Sequence, residues 1–184
     1  MADTNKVKFG LSHVYYSLLT YGENDAITFG TPVAIKGGVN LTLSAEGDMS
    51  PFYADNMVYF ASQSGGGYSG TLTMAYIPEA VRKDIFGETV DTAGMLVESA
   101  GGAATPFALL FEFSGDANEV RHVLYNCTAG KPSINSETIG ESQTPVTAEV
   151  SLTATANIDG YVKASAAEGT SNYSTFFSAV ATPT

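Results

Sequence analysis

The chain has 184 residues, of which 44% are hydrophobic and 15% are charged, a composition that fits one domain with a real core. Its 19 acidic residues outnumber the 8 lysines and arginines, so the formal net charge is -11 at pH 7. Such a surface repels phosphate, which argues against nucleic-acid wrapping and against docking on an anionic membrane. The apolar share excludes a disordered chain, and no apolar run is long enough for a transmembrane helix.

The N-terminal segment, about 1–6, is predicted to be an arm rather than part of the core. It carries an acid at Asp3 and leads to no apolar run, so we expect no secretion signal. Cys127 is the only cysteine, which excludes an intramolecular disulfide and a thiolate zinc site. We therefore expect a soluble, acidic domain that is made inside the cell.

The first strong secondary-structure signal lies at 39–46, where apolar and polar side chains alternate strictly. Leu41 and Leu43 fall on one face, and Thr42 and Ser44 fall on the other. A period of two indicates a strand with one buried and one solvated face. Weaker strand candidates are 7–18, 57–62, 68–77, 120–127 and 160–164.

The segment 47–67, between the strand at 39–46 and the candidate at 68–77, is predicted to be a long inter-strand loop. It carries more large apolar side chains than a free loop normally shows, and exposed apolar patches usually mark interfaces. We therefore expect it to contact neighbouring subunits. The candidate contact residues are Phe52, Tyr53, Asp55, Asn56, Met57, Tyr59 and Phe60.

One helix is predicted, at about 78–86, packed on the sheet. Pro78 stands at a helix-opening position, and Gly87 stands where the helix should stop. The apolar stripe of this helix would consist of Ala80, Val81, Ile85 and Phe86.

The second half of the chain is again rich in strand signals. Residues 146–156 alternate at every position, with Val150 and Leu152 on the apolar face. Residues 107–114 have one fully apolar face and one mixed face, which predicts a strand that is covered in part on its second side. The C-terminal segment, about 173–184, contains Phe176 and is ambiguous between strand and helix.

The sequence shows no arrangement typical of catalysis or metal binding. His13 and His122 are far apart, and neither belongs to a cluster with metal-ligand spacing. The glycine-rich run 65–70 lacks the Gly-Lys-Ser/Thr ending and the following helix of a phosphate-binding loop. We expect no catalytic residue, no metal and no cofactor, and the protein is not predicted to be an enzyme.

Several short stretches together resemble a known family in their order and spacing. They are KVKFGL at 6–11, PVAIKGGVNL at 32–41, FYADN at 52–56, GYSGTL at 67–72, IP at 77–78, FALLFEF at 107–113, RHVLYNC at 121–127 and DGYVKA at 159–164. The series resembles the major tail protein (tail tube protein) family of long-tailed phages and prophages of Gram-positive bacteria. The resemblance covers about 6–180.

The resemblance implies a β-sandwich of the phage tail-tube type, with one short flanking helix and extended arms and loops. It implies a structural virion protein that forms stacked hexameric rings, the tail tube, through which the genome is ejected. Its partners would be further copies of itself and other tail proteins such as the tape measure, terminator and distal tail proteins. Genomic DNA would pass without specific binding, no membrane would be involved, and the protein would be made in the host cytoplasm. The segment 47–67 would be the hairpin that reaches neighbouring subunits.

If the protein forms a tube, an acidic lumen would keep the DNA backbone from sticking. The candidate lumen-facing acids lie on or near strand faces predicted to be wet: Glu46, Asp48, Glu112 and Glu149. Two alternatives remain open from the residues alone. One is an immunoglobulin-like β-sandwich that acts as a binding or adhesion module, and the other is a small-molecule hydrolase.

Overall fold

The computed structural model describes residues 10–23, 26–47, 49–63, 65–114, 120–134 and 146–183. Within these ranges the protein is mostly β, as the sequence predicts, with thirteen strands and one short helix, α1 (Glu79–Asp84). The strands are β1 (Leu11–Tyr21), β2 (Ile27–Phe29), β3 (Val33–Ala34), β4 (Gly38–Ala45), β5 (Met49–Ala54), β6 (Met57–Gln63), β7 (Tyr68–Met74), β8 (Thr89–Val90), β9 (Leu96–Val97), β10 (Phe107–Phe113), β11 (Arg121–Ala129), β12 (Ala148–Thr155) and β13 (Lys163–Ala166).

Nine of these strands form one antiparallel sheet. Its order in the described part of the chain is β2-β1-β10-β11-β12-β7-β4, with β3 paired to β1 and β13 paired to β11. β1 and β4 lie near opposite ends of this order, yet the two strands approach each other closely: a Cβ built on Gly38 would lie 3.2 Å from Cγ2 of Val14. Register shifts in β1, β4 and β10 add to the twist and bend of the strands. The sheet therefore curls over its main core.

The main core lies on the concave face of the curled sheet, where the alternation in the sequence places the apolar side chains. Val150 and Leu152 of β12 are buried there, whereas Glu149 and Ser151 are exposed. This confirms the predicted strand at 146–156. β10 contributes Phe107, Leu109 and Phe111 to the same core.

The helix α1 closes this core at one end and confirms the predicted helix at about 78–86, although it is shorter. Val81 is buried in the core, and the turn that follows the helix adds Ile85 and Phe86. Ala80, predicted to belong to the apolar stripe, is instead exposed. Ile85 follows Val81 by four residues and shares its side of the helix, whereas Ala80 lies about 100° around the helix axis from Val81 and faces outward.

A second core lies on the convex face of the sheet, against β10 and β11. Ala108 and Leu110 are fully buried there, so β10 is covered on both faces. The cover is the C-terminal segment, which forms consecutive turns rather than a strand or a helix and buries Phe176. The mixed face predicted for 107–114 is thus covered by residues more than 60 positions away along the chain.

Candidate assembly surface

The segment 49–63 forms a two-stranded hairpin of β5 and β6, where the residue pattern predicts a long loop with a weak strand at 57–62. Asp55 and Asn56 form the turn with φ values of 53° and 63°. Asp and Asn tolerate this left-handed conformation, and a two-residue turn with both φ values positive matches the twist of paired strands. The register places Ala54 opposite Met57 and Phe52 opposite Phe60.

The hairpin exposes large apolar side chains on both of its faces. The exposed fraction ranges from 54% for Val58 to 73% for Tyr59. The full exposed set is Phe52, Tyr53, Met57, Val58, Tyr59 and Phe60. Within the described residues, β5 and β6 pair only with each other. The hairpin therefore shares no strand pairing with the described body of its own subunit, and its described side chains between 52 and 60 are mostly exposed.

Such a hairpin requires a partner surface for physical reasons. An isolated two-stranded hairpin is only marginally stable in water, and antiparallel sheets normally bury one of their faces. A continuous apolar patch that remains exposed on a folded subunit usually marks an interface. The candidate contact residues predicted from the sequence thus lie together on one projecting element, and Val58 belongs with them. Val58 stands inside the unbroken apolar run 57–61, and that run could have identified it.

At the base of the hairpin, the glycine backbone passes very close to the backbone of neighbouring segments. A Cβ at Gly66 would lie 1.3 Å from the carbonyl oxygen of Glu46, and a Cβ at Gly67 would lie 1.8 Å from that of Ala154. Only glycine fits at these two positions. The glycine-rich run 65–70 leads into strand β7 rather than into a helix, so it lacks the geometry of a phosphate-binding loop.

The edge strand β4 is a second feature suited to assembly. Among the described strands it pairs with β7 alone, so its other edge carries unpaired backbone groups. Proteins can extend a sheet by adding a strand from another chain to such an edge.

The convex face of β4, β7 and β12 is polar and carries few charges. The register aligns Asn40, Thr73 and Glu149 in one row across the three strands. The next two rows contain only hydroxyl side chains: Thr42, Thr71, Ser151, Ser44, Ser69 and Thr153.

The structure separates the candidate lumen acids. Glu149 lies on the polar face, and Glu46 is exposed just beyond the end of β4. Glu112 is largely buried and accepts a hydrogen bond from Arg121 Nε at 3.1 Å, with His13 Nδ1 also in contact. Glu112 is therefore a structural ion-pair residue and not a free acid on a wet face. Asp48 lies outside the described residues, as does the N-terminal arm.

The two histidines and the cysteine have surroundings typical of structural residues rather than of catalytic ones. His122 stacks on Phe111 with ring centroids 5.3 Å apart, whereas His13 contacts Glu112 at the surface. Burial raises the pKa of the Cys127 thiol to about 12, which makes it a poor nucleophile. Over the described ranges, no group of three or more His, Cys, Asp or Glu side chains could hold a metal ion.

None of the helical structure in the described part of the chain has the length and apolar character that a bilayer crossing requires.

Comparison with known proteins finds similarity among solved structures. No family model matches the sequence, and no curated protein matches it either. Among solved structures, the chain is similar to one in the cryo-electron-microscopy structure of the anti-feeding prophage cap, described as a tube-terminating cap. The identity is 11% and the TM-score is 0.49, with 91% of this chain and 99% of that chain covered.

Proposed function

We propose that this protein is a structural subunit of a phage tail tube, in which hexameric rings stack into a conduit for genome ejection. The observation that carries the proposal is the hairpin 49–63, which exposes large apolar side chains on both faces. A monomer gains nothing from such an element, whereas a polymer buries it at every subunit contact. The sequence resemblance to the major tail protein family supports the same function.

The open edge of β4 supports ring formation. A ring closes by head-to-tail contacts, in which one surface of each subunit binds a different surface of its neighbour. Stacked rings repeat head-to-tail contacts of a second kind along the tube axis. An eight-residue edge strand supplies one contact of this kind, and the hairpin supplies another.

The polar face of β4, β7 and β12 is the proposed lumen wall. Hydroxyl side chains present no positive charge to hold phosphate, and Glu46 and Glu149 add local repulsion that is screened within about 10 Å at 0.1 M salt. DNA then passes without specific binding. The protein needs no cofactor, acts as a virion tail component rather than an enzyme, and is made in the host cytoplasm. Its partners are further copies and the tape measure, terminator and distal tail proteins.

Sedimentation velocity combined with negative-stain microscopy of the purified protein, over a range of concentrations, tests the assembly. We expect rings or hollow tubes whose proportion rises with concentration. A monodisperse monomer at all concentrations, with saturable binding to a receptor or ligand, would overturn the proposal in favour of an adhesion module.

The lumen assignment has a separate test in assembled phage that carries Glu46→Lys and Glu149→Lys. We expect tubes of normal length and slowed or stalled genome ejection, because lysines in the lumen would bind phosphate. Unchanged ejection kinetics, with both positions mapped to the outer wall, would refute the lumen role of this face.

A further inference from the structure

The strap, residues 167–183, covers the convex face of the sheet without joining the sheet as a strand. The amide groups of five strap residues donate hydrogen bonds to carbonyl oxygens three or four residues earlier in the strap itself. By contrast, β10 and β11 pair along their length in a backbone ladder. The attachment of the strap therefore depends on side-chain contacts rather than on a ladder. The five residues are Thr170, Tyr173, Phe176, Ser178 and Ala179.

Three aromatic side chains of the strap make the main contacts with the sheet. Phe176 is 2% exposed and is the only buried residue between 167 and 183. Phe177 stacks on Tyr15 with ring centroids 4.9 Å apart. Arg121 of β11 places its guanidinium group over the ring of Tyr173 and donates a hydrogen bond to the carbonyl oxygen of the same residue. Since the contacts are few, the loss of one of them weakens the attachment of the whole strap.

A cleft of about 210 Å³ lies between the strap and the sheet. On the sheet side it is lined by Tyr125, Ala164 and Ala166, and on the strap side by Phe176 and Ala181. Side chains around such a gap lack part of the dispersion contacts of a close-packed interior. The Tyr125 hydroxyl group crosses the cleft region and donates to the Ala181 carbonyl oxygen at 2.8 Å. The cleft therefore weakens the packing of the strap against β11 and β13.

The strap leaves β13 through an exposed turn. The amide and the hydroxyl group of Thr170 both donate to the carbonyl oxygen of Ala167, the hydroxyl at 2.9 Å. Gly169 adopts φ 92° in this turn, a conformation that glycine accepts without strain. Every residue from 167 to 172 is exposed, and a Cβ built on Gly169 meets nothing within 4 Å. The turn can therefore change its backbone angles without disturbing β13.

We propose that the strap opens as a unit about this turn while the rest of the domain stays folded. Segments with few buried contacts open locally at a lower free energy than the core of a domain. Opening leaves the main core on the concave face covered, and it is a property of the single subunit that does not depend on tube assembly. Arg121 is the latch that holds the strap closed. Release of the latch makes a hidden apolar surface accessible, formed by Ala108, Leu110, Val123 and Tyr125.

Thiol labelling of the purified full-length chain tests the opening. The native Cys127 is the internal control, because it is fully buried in the main core. Val123→Cys places a second thiol beneath the strap, since Val123 is 1% exposed and lies on the convex face between Arg121 and Tyr125. Labelling by an excess of thiol reagent is followed at each site by mass spectrometry, at several urea concentrations below the unfolding transition.

We expect the thiol at position 123 to be labelled about tenfold faster than Cys127 or more. Its labelling should depend little on urea, because opening of the strap exposes much less surface than unfolding does. Arg121→Ala should accelerate labelling at position 123 by about 30-fold, since it removes a charge-assisted hydrogen bond and a cation–π contact. Ser174→Ala, at an exposed strap position, is the matched control and should change the rate by less than about twofold.

Equal labelling rates with equal urea dependence at positions 123 and 127 would overturn the proposal, because the strap would then open only when the domain unfolds. Labelling of the Arg121→Ala variant at the rate of the Ser174→Ala control would overturn the latch. If Val123→Cys does not fold, hydrogen exchange of the five strap amides replaces the labelling. These amides should exchange faster than those of β11 and with a smaller urea dependence, and exchange of both sets in one urea-dependent step would overturn the proposal.

Discussion

The guanidinium group of Arg121 lies over the ring of Tyr173, 3.8 Å from the ring centroid. Its Nη1 donates a hydrogen bond to the Tyr173 carbonyl oxygen, and its Nε donates to Glu112 at 3.1 Å. One side chain of β11 thus joins the C-terminal segment to the sheet through a cation–π contact, a backbone hydrogen bond and an ion pair. Phe177 adds a second ring, 4.8 Å from the same guanidinium.

Arg121→Ala should destabilise the protein by about 2 kcal/mol, because the substitution removes charge-assisted hydrogen bonds and a partly desolvated cation–π contact. Urea unfolding measures this loss. The matched control is Lys36→Ala at an exposed position, which should change stability by less than about 0.5 kcal/mol. Equal unfolding midpoints for the two variants would show that Arg121 does not hold the C-terminal segment.

Deletion of 173–184 should make the protein insoluble. The segment buries Phe176 and covers Leu110 and Tyr125 on the convex face, so its removal exposes a contiguous apolar surface. Deletion of 1–5 should cost little stability, because this stretch has no apolar residue beyond Met1 and Ala2. Solubility and thermal unfolding report both effects. A soluble, monomeric truncation at 172 with normal stability would contradict the structural role of the segment.

Gly67→Ala should destabilise the base of the hairpin by about 2 kcal/mol or more, because its Cβ would overlap the carbonyl oxygen of Ala154. Gly65→Ala is the matched control two residues away, where a Cβ meets nothing within 4 Å. Thermal unfolding of both variants measures the difference. If the two variants melt together, the close approach at Gly67 does not limit stability.

The folded protein should lose stability at alkaline pH because Tyr125 is buried as a neutral phenol. Burial, with a smaller contribution from Tyr161, raises the pKa of Tyr125 from 10.0 to about 12, and its hydroxyl group donates to the Ala181 carbonyl oxygen at 2.8 Å. Between these two pH values the unfolded state binds fewer protons than the folded state, so the free energy of unfolding falls as pH rises. The contribution of neutral Tyr125 to the free energy of unfolding is complete below pH 10 and is lost as the pH approaches 12.

Tyr125→Phe should therefore lower stability by about 1 kcal/mol at pH 8, through the lost hydrogen bond, and should flatten the decline above pH 10. Urea unfolding at a series of pH values measures both effects. Parallel stability curves for the wild type and the variant above pH 10 would contradict the raised pKa.

The double substitution Tyr53→Ala and Asp55→Ala should leave a folded monomer that no longer polymerises. Both residues are exposed on the hairpin, so their removal changes an interface rather than the core. Sedimentation velocity measures the assembly state, and circular dichroism verifies the fold. Normal tubes from this variant would show that the hairpin is not the stacking element.

Residue patterns predicted the strands and the helix whose formation depends on residues close together in the sequence. Strict alternation identified the strands that became β4 and β12, because a period of two places all apolar side chains of a strand on one face. Pro78 and Gly87 bracketed the helix because one fits a helix start and the other a helix end. The large apolar residues of 47–67 indicated an interface, although the pattern could not show that the segment pairs with itself as a hairpin.

The tertiary structure decided every relationship that depends on residues distant in sequence. Glu112 looked like a free acid on a wet strand face, but β11 brings Arg121 beside it, and a bulge in β1 brings His13. Whether the second face of β10 would be buried depended on where the C-terminal segment packs. Alternation specifies the two faces of a strand but not what covers each face, since strand order and cover are set by non-local packing.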